Sequence, residues 1–210
     1  MGADHKAALH TIARLADLQF APRRQDQWPS LVVMTDRAVQ GDAWRLADAV
    51  PAGTIICLRD YELKDRAHYA TRLASACRHN NVRLMVSGDV SLAVRAGAWG
   101  VHIPEGLWKR SIQDVARARS HDLRVSTAVH SRQAARSVVI GGKALCDVAM
   151  VSPVFPTLSH PEQPVLGPLG LAGILEVLPT PAYALGGVTP GTIGRLAGLP
   201  LCGVAGIRFT

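Results

Sequence analysis

Short apolar runs recur eight times between Leu31 and Ile207, each followed by polar residues and most by a stretch of helical spacing. They are LVVMTD (31–36), TIICLRD (54–60), RLMVSGD (83–89), WGVHIPE (99–105), RVSTAV (124–129), VAMVSPVF (148–155), PAYALGG (181–187) and LCGVAGI (201–207). Apolar and polar residues do not alternate within most of them, so these strands would be covered on both faces. Strands of that kind belong to parallel sheets, which need long crossover connections.

The clearest crossovers are DRAHYATRLASACRHN (65–80) and GLWKRSIQDVARARS (106–120). SRQAARSVVIGG (131–142) reads as a helix stopped by a glycine pair. TPGTIGRLAGL (189–199) reads as another, with Thr189 as N-cap and Pro190 in the first helical position. Strand and helix alternating about eight times predict a (β/α)8 TIM barrel in the α/β class. An open doubly wound sheet is the competing architecture, and it is disfavoured because no G-x-G-x-x-G follows the first run.

Upstream, ALHTIARLADL (8–18) predicts an N-terminal helix, and APRRQDQWPS (21–30) reads as a polar linker. The expected organisation is one domain over 1–210, with the helix and linker in 1–30 and the barrel in 31–210. The chain stops just after the last run, so no full final outer helix is expected. The N-terminal helix is expected to cover that gap.

Composition narrows the function classes. Hydrophobic residues make up 48%, enough for a sizeable core. No apolar run approaches the roughly 20 residues of a membrane helix. The N-terminus lacks a signal-peptide core, so a cytoplasmic protein is expected. A net charge of +7 suits an anionic small molecule. The basic pairs Arg23-Arg24 and Lys109-Arg110 are too few for a nucleic-acid surface. Cys57, Cys77, Cys146 and Cys202 show no C-x-x-C spacing, so they read as reduced thiols rather than a zinc site.

A barrel works at the C-terminal ends of its strands. Polar groups gather there: Thr35 and Asp36, Arg59 and Asp60, Ser87 and Asp89, His102 and Glu105, His130, then the loop Ser152–His160. The last two strand ends carry Gly186, Gly187, Gly206 and Arg208. Glycines let a phosphate approach backbone N–H groups, and a helix begun at Pro190 would aim its positive end at the anion. Arg208 could add a forked pair of donors.

The segments GVHIPEG, VSTAVHS, VSPVFPTLSHP, YALGGVTPGTIGRL and GVAGI come in the order and spacing of the thiamine phosphate synthase/TenI family. LVVMTD and ICLRD are similar to its first two strands, so the resemblance covers nearly all of the chain from about Leu31. It implies a TIM barrel of thiamin biosynthesis that binds a thiazole phosphate near the last two strands. The synthase branch joins that phosphate to a pyrimidine methyl pyrophosphate with Mg²⁺. The TenI branch tautomerises a thiazole phosphate carboxylate.

Departures from the family pattern fall on one partner. The synthase's Q-L-R-E-K becomes Cys57-Leu58-Arg59-Asp60-Tyr61, keeping the arginine and losing the glutamine and lysine. Asn-Asp after the third strand becomes Ser87-Gly88, with Asp89 one place late. A one-residue shift turns a strand side chain to the other face. G-V-H-L-G-Q-E-D becomes GVHIPEGL, leaving Glu105 as the nearby carboxylate. The serine before Val-His is Ala128, and Thr-Pro-Thr-Lys becomes Thr157-Leu158-Ser159-His160. The metal and pyrophosphate contacts are thinned, while the thiazole-phosphate end resembles the family's.

His130, in AVHS, matches the histidine that the tautomerases use as general acid/base, and imidazole suits that task near neutral pH. The expected site is therefore His130 for proton transfer, with Arg59, His102, Ser152, Thr157, Ser159, His160, Gly186, Gly187, Gly206 and Arg208 around the phosphate ester. Asp89 and Glu105 are the only candidates for Mg²⁺, which enters only if the synthase reaction is retained. The reading leans to an enzyme, a TenI-like tautomerase or a divergent synthase. A non-catalytic thiazole or thiamin phosphate binder is the alternative. Neither nucleic acid nor membrane is an expected partner; a second copy of the chain is an open one.

Overall fold

The computed structural model describes residues 3–20, 28–105, 112–158 and 161–209. Eight parallel strands close into a barrel: β1 (Leu31–Met34), β2 (Ile55–Leu58), β3 (Arg83–Ser87), β4 (Gly100–Ile103), β5 (Arg124–Val129), β8 (Val148–Val151), β9 (Ala182–Leu185) and β10 (Gly203–Gly206). The barrel runs in chain order around its circumference, and β1 closes against β10 with Val32 opposite Ala205. Every apolar run of the sequence contributes one strand. The fold is the expected (β/α)8 TIM barrel.

Alternation along each strand separates two cores. Val33, Ile56, Leu84, Val101 and Val125 face outward into the layer shared with the helices. Val32, Ile55, Cys57, Met85, Met150, Tyr183 and Ala205 fill the interior. Trp28 plugs the N-terminal end, edge-on to Trp99 with ring centroids 5.4 Å apart. All four cysteines are buried, and burial pushes the Cys57 thiol up to about 12.

The outer layer contains α2 (Arg37–Gln40), α3 (Ala43–Ala47), α4 (Arg66–His79), α5 (Val90–Ala96), α6 (Ile112–Ser120), α7 (Arg132–Ser137) and α8 (Gly167–Leu175). Helix α1 (Ala3–Phe20) precedes them all. Leu9, Ile12, Ala13, Ala16 and Phe20 form its buried stripe at helical spacing. It packs on β1, β10 and the turn Ile193–Leu196, where Gln19 Nε2 donates to the Ile193 carbonyl at 2.8 Å. No helix follows β10 among the described residues, and α1 covers that side of the barrel.

Two expected helices differ. In 131–142 the helix stops at Ser137, and Val139–Ile140 (β6) pairs antiparallel with Lys143–Ala144 (β7). Gly141 and Gly142 turn the hairpin with φ of 56° and 76°. Positive φ at both central residues is what a two-residue hairpin turn needs, and β-branched Val139 and Ile140 favour extended backbone. In 189–199 only a short 3-10 turn forms, Ile193–Leu196. The Thr192 hydroxyl accepts from Thr189 N–H at 2.8 Å and donates to the Gly187 carbonyl at 3.1 Å. That local bonding competes with a helix start at Pro190. No α-helix N-terminus therefore stands after the glycine pair, and the expected dipole contribution there falls away.

Candidate active site

The C-terminal mouth of the barrel gathers residues from five neighbouring strands, β2, β3, β4, β5 and β8. Ser126 and His102 sit deepest, one on each of two paired strands, with His102 opposite Ser126 in register. His102 is 4% exposed. Its Nδ1 lies 2.9 Å from Ser126 Oγ, whose own proton is directed at Met85 Sδ, 3.5 Å away. Ser126 thus accepts from a His102 Nδ1–H. Burial, reinforced by His130 and Arg59 nearby, pushes the His102 pKa down to about 4. His102 is a neutral imidazole at the floor of the mouth.

His130 stands above it at the end of β5, half-exposed. Its Nδ1 is 2.7 Å from the Ser152 carbonyl oxygen and 3.2 Å from Ser152 Oγ. A carbonyl can only accept, so Nδ1 carries the hydrogen. Glu105, just beyond β4, meets the same residue twice. Its Oε2 accepts the His130 backbone N–H at 3.1 Å and lies 3.6 Å from His130 Nε2. Arg59 is on the opposite wall, its backbone N–H bonded to Thr35 Oγ1 at 2.9 Å and its guanidinium 3.8 Å from Asp36 Oδ2.

The end of β3 is closed by an aromatic ring. Tyr61 lies with its hydroxyl 2.6 Å from the fully buried Ser87 Oγ. Its Cε1 is 3.3 Å from where a Gly88 side chain would begin. Arg66 donates to the Leu58 and Ser87 carbonyls at 3.2 and 2.7 Å and stacks 5.2 Å from the Tyr61 ring centroid. Sequence reasoning did not assign Tyr61 or Arg66 to the site. For Tyr61 a signal existed, since it takes the place of the family's lysine. For Arg66 there was none, because its acceptors are backbone groups.

Mg²⁺ would need a set of oxygen ligands. Asp89 is the N-cap of α5, accepting Leu92 N–H at 2.8 Å. Glu105 is engaged with His130 instead. Among the described residues no group of three or more His, Cys, Asp or Glu is placed to hold a metal ion. The described residues do not fit the ion.

The glycines at the last strand ends have packing roles. Gly187 has φ 64°, and a Cβ there would come within 2.7 Å of the Phe155 carbonyl oxygen. The loop after β8 lies on this pair: Val154 N–H donates to Leu185 and Phe155 N–H to Gly186, both at 3.0 Å. A Cβ on Gly206 would meet the buried Phe209 ring at 2.9 Å. Arg208 is exposed and makes no ion pair among the described residues. Ser152 is buried and Thr157 half-buried on the loop, while Ser159 and His160 lie outside the described residues. His102, His130, Glu105 and Ser152 are thus brought into one cluster with Arg59 near its rim.

The family model described as thiamine monophosphate synthase matches residues 31–209. The putative thiamine-phosphate synthase 2 of Aquifex aeolicus is 31% identical over 166 residues, covering 77% of this chain and 86% of that protein. The thiamine-phosphate synthase of Levilactobacillus brevis is 31% identical over 141 residues, 65% of this chain, and the match spans 62% of its length. Among solved structures, thiamine phosphate pyrophosphorylase from Pyrococcus furiosus superposes with a TM-score of 0.64 at 20% identity, covering 84% of each chain. That last likeness concerns the fold, while the sequence match across the whole barrel carries the conclusion: this chain belongs to the thiamine monophosphate synthase family of thiamin biosynthesis.

Proposed function

We propose that this chain binds a thiazole-type phosphate ester and moves a proton on it, as a tautomerase. The observation that carries the reading is an asymmetry at the mouth. Proton-transfer chemistry is assembled at His130, while of the two carboxylates that could hold Mg²⁺ Asp89 caps α5 and Glu105 is bound to His130. Coupling through a pyrophosphate leaving group depends on neutralising that group, whereas a proton shift needs only a positioned acid and base. Nδ1 of His130, tied to Ser152, fixes the ring so that Nε2 faces the mouth region shared with Glu105. Arg59 supplies a fixed positive charge for a substrate carboxylate or phosphate. The buried hydroxyl of Ser126 and the neutral His102 form a polar floor without adding charge.

The test is a direct comparison of two assays on the purified protein. Tautomer exchange of a thiazole phosphate carboxylate, followed by solvent deuterium incorporation, is expected to be accelerated and insensitive to EDTA. Formation of thiamin phosphate from the thiazole phosphate and the pyrimidine pyrophosphate with Mg²⁺ is expected to be absent. Robust coupling would overturn this reading and make the chain a working synthase. Tight binding of the thiazole phosphate with neither reaction would make it a binder.

A further inference from the structure

Among the described residues Glu105 is the one carboxylate at the mouth whose oxygen reaches His130, and it does so at the nitrogen left for proton exchange. Nδ1 carries its hydrogen toward the Ser152 carbonyl at 2.7 Å. Nε2 is then the ring nitrogen that gains and loses a proton, and it lies 3.6 Å from Glu105 Oε2. A neutral ring would direct its Nε2 lone pair toward the carboxylate lone pairs. One proton between the two groups removes that conflict. The carboxylate is held in place by the His130 backbone N–H at 3.1 Å. Both side chains remain reachable, with 50% exposure for His130 and 36% for Glu105.

We propose that Glu105 is a second catalytic group, forming with His130 a two-residue proton relay; this rests on the prototropic reaction proposed above. The Glu105 carboxylate takes a proton from a substrate carbon as the C–H electron pair moves into the conjugated ring. The Nε2–H of His130 delivers its proton to the other end of the same conjugated system. Glu105 then holds the proton and His130 is neutral, and transfer from Oε2 to Nε2 restores the starting state. No oxidant, reductant or metal enters the balance. The 3.6 Å separation is longer than a hydrogen bond, as contacts of this kind are before substrate closes them.

Glu105→Gln tests the relay, because the amide oxygen can still accept the His130 N–H while the base is removed. The expected result is a fall in kcat of about 10² or more with KM little changed, and loss of one limb of the pH–rate profile. A wild-type kcat with an unchanged profile overturns the relay. Nitrogen NMR of the His130 ring separates this proposal from the proposed reaction, since it needs no substrate. Glu105→Gln is expected to change the ring nitrogen signals, and unchanged signals overturn the pair. Changed signals in Glu105→Gln, together with a wild-type protein that exchanges no thiazole proton, uphold the pair and overturn the reaction.

Discussion

The imidazole of His130 is anchored to the backbone carbonyl of Ser152, 2.7 Å from its Nδ1, across the seam between β5 and β8. The acceptor is main chain, so no substitution at 152 removes it. Ser152→Ala is expected to lower the tautomerisation rate less than about tenfold. His130→Ala is expected to lower it by about 10² or more. Steady-state rates for the two variants check both. A His130→Ala enzyme as fast as wild type would remove His130 from the chemistry.

His102 predicts an acid-sensitive fold. Its pKa in the folded chain is about 4, against an ordinary 6.5, because it is buried beside His130 and Arg59. A group depressed on folding is protonated first in the unfolded chain. Stability is therefore lost as pH falls from about 6.5 towards 4, on the order of 3 kcal/mol from this residue. Below that range the contribution is constant. Urea unfolding across pH should show this slope in wild type and a shallower one in His102→Asn. Equal slopes would mean that another group is responsible.

Tyr61 and Ser87 predict a local stability effect. Tyr61→Phe leaves the buried Ser87 hydroxyl without its 2.6 Å partner. Loss of about 1–3 kcal/mol is expected from denaturant unfolding. No change would show that water replaces the phenol.

Gly187 should not tolerate a side chain. Gly187→Ala adds a Cβ at φ 64° and within 2.7 Å of the Phe155 carbonyl oxygen. Destabilisation of more than about 1 kcal/mol is expected, with weaker binding of inorganic phosphate or a phosphate ester. Calorimetry alongside thermal unfolding reads both. A variant of wild-type stability would show that the 153–156 loop moves freely away from β9.

The N-terminal helix is expected to be part of the barrel's stability. Ile12 is fully buried in the outer layer, so Ile12→Ala should cost about 2–5 kcal/mol. A change below about 1 kcal/mol, measured by denaturant unfolding, would mean that α1 docks only loosely.

The eight strands were legible because most are apolar on both faces, as the strands of a covered parallel sheet are. The α1 stripe was legible because Leu9, Ile12, Ala16 and Phe20 repeat at helical spacing. The hairpin at 139–144 was misread because its Gly-Gly pair serves equally as a helix stop or a hairpin turn. The helix at Pro190 was misread because the Thr192 side chain bonds locally, which no periodicity reports. Tyr61 stood out only as a missing lysine, and its contact with Ser87 joins residues 26 apart.

By itself the sequence determined the order of strands, the barrel they form and the set of polar residues at their ends. Periodicity and burial are local in the chain, so they can be read along it. Which of those polar residues meet was decided only by the closed barrel. Glu105 reaches His130 across 25 residues, and His130 reaches Ser152 across 22. Strand pairing and the alternation of side chains across the sheet bring them to one mouth, and the pairing of one strand end with the next is a property of the barrel as a whole.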